Sequence, residues 1–192
     1  MTGFRIAALA LPAAAAFLAS ALWVWKPNWK IAVIGVANLV VIVSLWGVLA
    51  GAPMATLLAV SVVSLSFALF ALGLSMVAGQ VVSGLVVVLL CSTLFFAPQA
   101  VEDAVARGLK DAPQKRVDLL ISINPWTVLA AGPFKKDLLR DFGSMYRAHV
   151  ADYAEARPPG WGGIALGYTL GGLALGGVAL LIRRKRSPQP PT

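Results

Sequence analysis

The chain has 192 residues, 59% hydrophobic and only 12% charged, with a mean hydropathy of +0.82, whereas a soluble domain carries about 25% charged residues. All eight acidic residues lie between Glu102 and Glu155, and outside residues 102–157 the only charges are Arg5, Lys26, Lys30, Arg183, Arg184, Lys185 and Arg186. Such long uncharged stretches exclude an ordinary water-soluble globule, and a net charge of +8 gathered at the edges of apolar runs sets topology rather than gripping phosphate, which excludes a nucleic-acid binder.

A membrane-crossing helix needs roughly 20 apolar residues. Five stretches are predicted to cross: Phe4 to Trp25, Ile31 to Ala50, Met54 to Ala78, Val81 to Ala97, and Trp161 to Ile182. The expected fold class is therefore an all-α membrane protein. Residues 1–97 form a four-helix transmembrane region, 98–160 an extracytoplasmic segment, 161–182 the last span, and 183–192 a basic tail. The links Lys26-Pro27-Asn28-Trp29-Lys30, Gly51-Ala52-Pro53 and Gly79-Gln80 are so short that neighbouring spans must run antiparallel. A cleavable signal over residues 1–21, with Ala19-Ser20-Ala21 as its cleavage site, is the competing reading. It would leave the basic tail on the wrong side.

Orientation follows the basic residues. Arg183, Arg184, Lys185 and Arg186 abut the last span and are expected to be cytoplasmic. Counting back, Lys26 and Lys30 are cytoplasmic too, while the Gly51 turn, residues 98–160 and the N-terminus are outside. Trp23, Trp25, Trp29 and Trp161 fall at span ends, where an indole suits the interface.

Residues 98–160 read as three helical pieces. The first starts at Pro98 and stops before Pro113. The second has Asn124 as N-cap, Pro125 at the first helical position and Gly132 as terminator, which puts Trp126 and Leu129 on one face. The third runs from Pro133 to before Pro158. Its apolar residues Phe134, Leu138, Phe142, Met145, Tyr146, His149 and Tyr153 are spaced by three and four, which predicts an amphipathic helix lying on the interface or capping the bundle.

After Arg5 the spans hold no Asp, Glu, Lys, Arg or His. Intramembrane ionisable groups mark proton relays and ion sites, so a self-powered, proton-coupled transporter is disfavoured. The lone His149 and single Cys91 leave no acid–base, disulfide or metal constellation, so no catalytic, metal or cofactor-binding residue is assigned and the chain is not expected to be an enzyme. Ser61, Ser64, Ser66, Ser75 and Ser83 are expected to bond to the backbone or bridge helices, and Asn38 to make an interhelical hydrogen bond. In the last span Gly163, Gly167 and Gly171 are spaced by four, as are Gly172 and Gly176; such rows let two helices approach closely.

Three features together resemble the C-terminal portion of the permease subunit of type-2 ATP-binding-cassette exporters, which handle drugs, polysaccharides and copper-enzyme maturation. They are the tight pair of spans around Leu74-Ser75-Met76-Val77-Ala78-Gly79-Gln80, the outer segment with Ile123-Asn124-Pro125-Trp126, and a final span that follows Trp161 and ends in Arg183-Arg184-Lys185-Arg186. The resemblance implies spans two to six of such a subunit, in a bacterial cytoplasmic membrane. It also implies a separate ATPase that supplies ATP hydrolysis, and a second copy or sister permease. By it, Lys26, Pro27, Asn28, Trp29 and Lys30 occupy the loop that touches the ATPase, while Asn124, Pro125 and Trp126 shape an outer gate. The chain departs from the family in starting where the second span would start. No Walker phosphate-binding loop is present. The alternative is a structural or accessory subunit of a larger membrane complex.

Overall fold

The computed structural model describes residues 2–106, 123–134 and 160–186. Among these there are six helices and no strand: α1 Thr2–Trp25, α2 Trp29–Leu49, α3 Met54–Ala78, α4 Gln80–Ala106, α5 Pro125–Ala131 and α6 Trp161–Arg186. Four of them, α1, α2, α3 and α6, are long and apolar enough to cross a membrane; in α4 the apolar helix among the fully described residues is Gln80–Leu94. Large apolar side chains cover the outside, including Ile34, Ile42, Leu85, Leu173 and Leu181. In water such a surface would aggregate; in hydrocarbon it needs no cover, and it fits a multi-pass membrane protein.

α3 is the central rod and touches all five other helices. Its enclosed residues, from Leu57 through Val63, Phe67 and Ala71 to Ser75, lie around most of its circumference. α1 packs against it as well, and the buried residues of α1 include the small Ala8, Ala15, Ala16 and Ala19, the kind of surface that lets helices approach. α6 approaches still more closely. A methyl group on Gly73 would lie 2.7 Å from the Gly172 carbonyl oxygen, and one on Gly172 would lie 2.8 Å from the Leu69 carbonyl. Two backbones in that relation leave no room for side chains.

Hydroxyl pairs fasten the seams. Ser20 and Ser83 join α1 to α4 with oxygens 3.0 Å apart. Ser44 and Ser61 join α2 to α3 at the same distance. Thr169 of α6 donates to Ser66 of α3 at 3.2 Å. Ser66 and Ser75 also return their hydroxyls to the carbonyls of Val62 and Ala71. The buried Ser64 hydroxyl has no partner among the described residues.

The turns sort the helix ends into two groups. At one end Gln80 donates to the Val24 carbonyl, and the Arg183 guanidinium lies 4.6 Å from the centroid of the Trp23 ring. The ends of α1, α3 and α6 and the starts of α2 and α4 therefore share a level with Lys26 and Lys30. At the other end Phe4 meets Phe134 edge-on at 6.4 Å, beside the Ala52-Pro53 turn. The α3–α4 junction turns on Gly79, whose φ of 82° and ψ of 171° are open almost only to glycine. Gly79→Ala is expected to lower stability by about 1–3 kcal/mol, read from unfolding in detergent micelles. Gly51→Ala, at a φ of 72°, should cost about 1–2 kcal/mol.

Several expectations need correction. The predicted helix start at Pro98 is absent, because α4 runs through Pro98 to Ala106. Trp23 is no interfacial anchor: it is 1% exposed inside the bundle, whereas Trp25 and Trp29 are 79% and 51% exposed. Asn38 lies on the outer face of α2, and no hydrogen bond ties its amide to another helix among the described residues. Of the predicted third outer helix, Pro133 and Phe134 lie in a turn, and the remainder lies outside the described residues.

Candidate functional site: the Asn124 bracket and the basic rim

The polar node of the structure forms around Asn124, well away from Lys26, Lys30 and Arg183, at the depth of Leu94 in α4 and of Phe67 near the middle of α3. Proline has no N–H, so Pro98 cannot supply the donor that the Leu94 carbonyl would receive in an unbroken helix. The Asn124 side chain supplies it instead: Nδ2 donates to Leu94 O at 2.7 Å. The other side of the same amide caps α5, where Oδ1 accepts from the N–H groups of Trp126 at 2.9 Å and Thr127 at 3.3 Å. The Thr127 hydroxyl closes the turn onto the Asn124 carbonyl at 2.9 Å. One buried residue thus completes two helices at once. Sequence spacing pointed to the cap; the bond to α4 depends on a residue 30 positions away, and the only clue to it was a proline in an apolar run.

Aromatic rings hold this node against α3. Phe67 packs edge-on against Trp126 at 6.0 Å and against Tyr168 at 5.0 Å. Phe70 also meets Tyr168, at 5.3 Å. The Tyr168 hydroxyl donates to the Ile123 carbonyl, which ties α6 to the residue just before the cap. α5 itself is enclosed, with Pro125, Thr127, Val128, Leu129 and Ala130 buried. Asn124, Pro125 and Trp126 therefore form a brace among α3, α4, α5 and α6.

The basic rim is polar and open. Lys26, Pro27, Asn28, Trp29 and Lys30 are all exposed. Asn28 caps α2 by accepting from the Lys30 N–H at 3.0 Å, and Lys30 Nζ stands 6.0 Å from the centroid of the Trp29 ring. α6 carries Arg183, Arg184, Lys185 and Arg186 as its final turn. Helical cations at a C-terminus also complement the helix dipole.

The glycine rows of α6 divide. A methyl group added at Gly172 would strike the α3 backbone, one at Gly171 would lie 3.0 Å from the Phe70 ring, and one at Gly176 would lie 4.0 Å from the Met76 sulfur. Gly163 and Gly167 have open space beside them. Among the described residues no three His, Cys, Asp or Glu gather where a metal ion could sit. The chemistry the node offers is hydrogen bonding and packing.

No protein-family model, curated protein or solved structure matches the chain.

Proposed function

We propose that the chain is a non-catalytic permease subunit of a type-2, exporter-like ATP-binding-cassette transporter. In this reading five helices cross a bacterial cytoplasmic membrane, α4 among them, with the N-terminus outside and the basic end in the cytoplasm. A separate ATPase supplies the energy, and a second copy or a sister permease completes the path. The observation that carries the reading is the grouping of Lys26, Lys30 and Arg183 at one end of the bundle, away from the enclosed α5. That arrangement follows the positive-inside rule and offers the exposed loop from Lys26 to Lys30 to a cytoplasmic partner. Apart from Lys30 in the first turn of α2, the four long helices hold no Asp, Glu, Lys, Arg or His between Arg5 and Arg183, so work done by the bundle must be driven from outside it.

A structural subunit of a larger membrane complex is the second reading. Its support is the interior, where Ser20 with Ser83 and Ser44 with Ser61 spend their hydroxyls on each other. Gentle detergent extraction followed by mass spectrometry separates the two. A Walker-containing ATPase is expected to stay bound, and to cross-link to a cysteine introduced by Asn28→Cys. Recovery with membrane subunits alone, and no nucleotide-binding protein, would overturn the permease reading.

A further inference from the structure

α2 and α3 are joined by the short Gly51 turn and tied again at Ser44 and Ser61. Beyond that tie, toward the basic rim, an open-sided cleft of about 250 Å³ lies between them with α1 as its floor. Its lining is apolar: Ala19, Ala32, Val33, Leu65, Ala68 and Leu72 are among the side chains that form it. Val33 and Leu65 stand exposed at the mouth, while Ala19, Ala32, Ala68 and Leu72 are buried.

Two of the three helices around the cleft, α2 and the floor helix α1, bring a lysine above it. Lys30 precedes Val33 by three residues on α2, so it shares that face and stands about 4.5 Å higher along the axis. Lys26 follows Ala19 by seven residues, two turns along the same face of α1; its N–H bonds to the Leu22 carbonyl at 2.9 Å and continues the helical turn. Both lysines are exposed. A slot for hydrocarbon with two cations at its rim has the polarity of one lipid molecule, tail inward and phosphate outward.

We infer that this cleft binds an acidic phospholipid, with one acyl chain between α2 and α3 and the phosphate held by Lys26 and Lys30. The amphipathic stems of the two lysines keep their ammonium groups at headgroup level. Trp29, half-exposed beside Lys30, stands at the same level as an interfacial ring. A neutral lipid has the tail but not the charge complementarity, and a soluble phosphate has the charge but not the tail. The inference does not rest on the transport reading.

The test uses the delipidated full chain in detergent, titrated with phosphatidylglycerol, phosphatidylcholine or glycerol phosphate and followed by native mass spectrometry. One phosphatidylglycerol per chain is expected. The double variant K26Q/K30Q should bind it about thirtyfold more weakly, since each juxtamembrane lysine contributes about a factor of five. Val33→Trp, at the exposed mouth, should block the tail and weaken both lipids while leaving the lysines, and any ATPase contact, in place. Equal retention of phosphatidylglycerol by K26Q/K30Q and the unaltered chain would overturn the inference. So would unchanged binding in Val33→Trp, or displacement of the lipid by glycerol phosphate. A circular-dichroism spectrum matching that of the unaltered chain establishes that each variant is folded.

Discussion

Gly172→Leu is expected to be the most damaging single replacement in the described helices, costing at least about 3 kcal/mol and leaving little monodisperse protein after extraction. The reason is geometric. Even a methyl at this position would lie 2.8 Å from the carbonyl carbon and oxygen of Leu69 and 2.9 Å from the Phe70 nitrogen. These are backbone atoms within α3, so no rotamer change can clear the space. α6 would have to move outward, and the Thr169–Ser66 bond and the Tyr168 contacts with Phe67 and Phe70 would go with it. Helix association in lipid depends on such close packing, because the tails are as apolar as the side chains. Gly163→Leu and Gly167→Leu provide the control: nothing approaches within 4 Å, so each should stay within about 0.5 kcal/mol of the unaltered protein. Size-exclusion profiles and unfolding in detergent measure all three. A stable Gly172→Leu bundle would falsify the close approach. Gly73→Ala and Gly172→Ala share one contact, so their costs should not add.

Asn124 is the second position of large effect. Asn124→Ala removes the cap of α5 and leaves the Leu94 carbonyl without its donor, so a loss of about 2–4 kcal/mol is expected. Asn124→Asp is the sharper probe. It keeps an oxygen for the N–H groups of Trp126 and Thr127, but turns an acceptor toward Leu94 O in place of the donor that reaches it at 2.7 Å. The aspartate variant should therefore be at least as unstable as the alanine one, although aspartate is a good cap in its own right. Pro98→Ala restores an N–H to α4 one turn after Leu94 and should rescue Asn124→Asp by about 1 kcal/mol or more, a coupling measured by a double-mutant cycle. If the two substitutions simply add, the Leu94 carbonyl does not need the asparagine.

The sequence made some of this legible, and the reasons differ by residue. Helix bounds in apolar runs follow from length and breakers; Met54–Ala78 falls between Pro53 and Gly79 as read. The Asn124-Pro125 start of α5 was legible because capping is a local matter settled within four residues. Pro98 misled because proline suits a helix start as well as an interior whose lost bond is replaced elsewhere, and the replacement came from a distant residue. The glycines were legible as a small-residue surface but not as to direction. Gly163 and Gly172 lie on different sides of α6, and spacing within one helix cannot say which side α3 occupies. Trp23 was assigned to the interface because it lies near the end of its span; the structure encloses it beside Arg183. Such placements depend on the partner helix, which the one-dimensional pattern does not contain.

The central position of α3 has a consequence for biosynthesis. A ribosome delivers chain at about 5–20 residues per second, so α3 enters the membrane seconds before α6 exists. During that interval the groove at Gly73, which is to receive Gly172, faces lipid or a temporary companion. Among the described helices the one that fills this groove is made last, so the tightest backbone contact of the bundle forms only after α6 has entered the membrane.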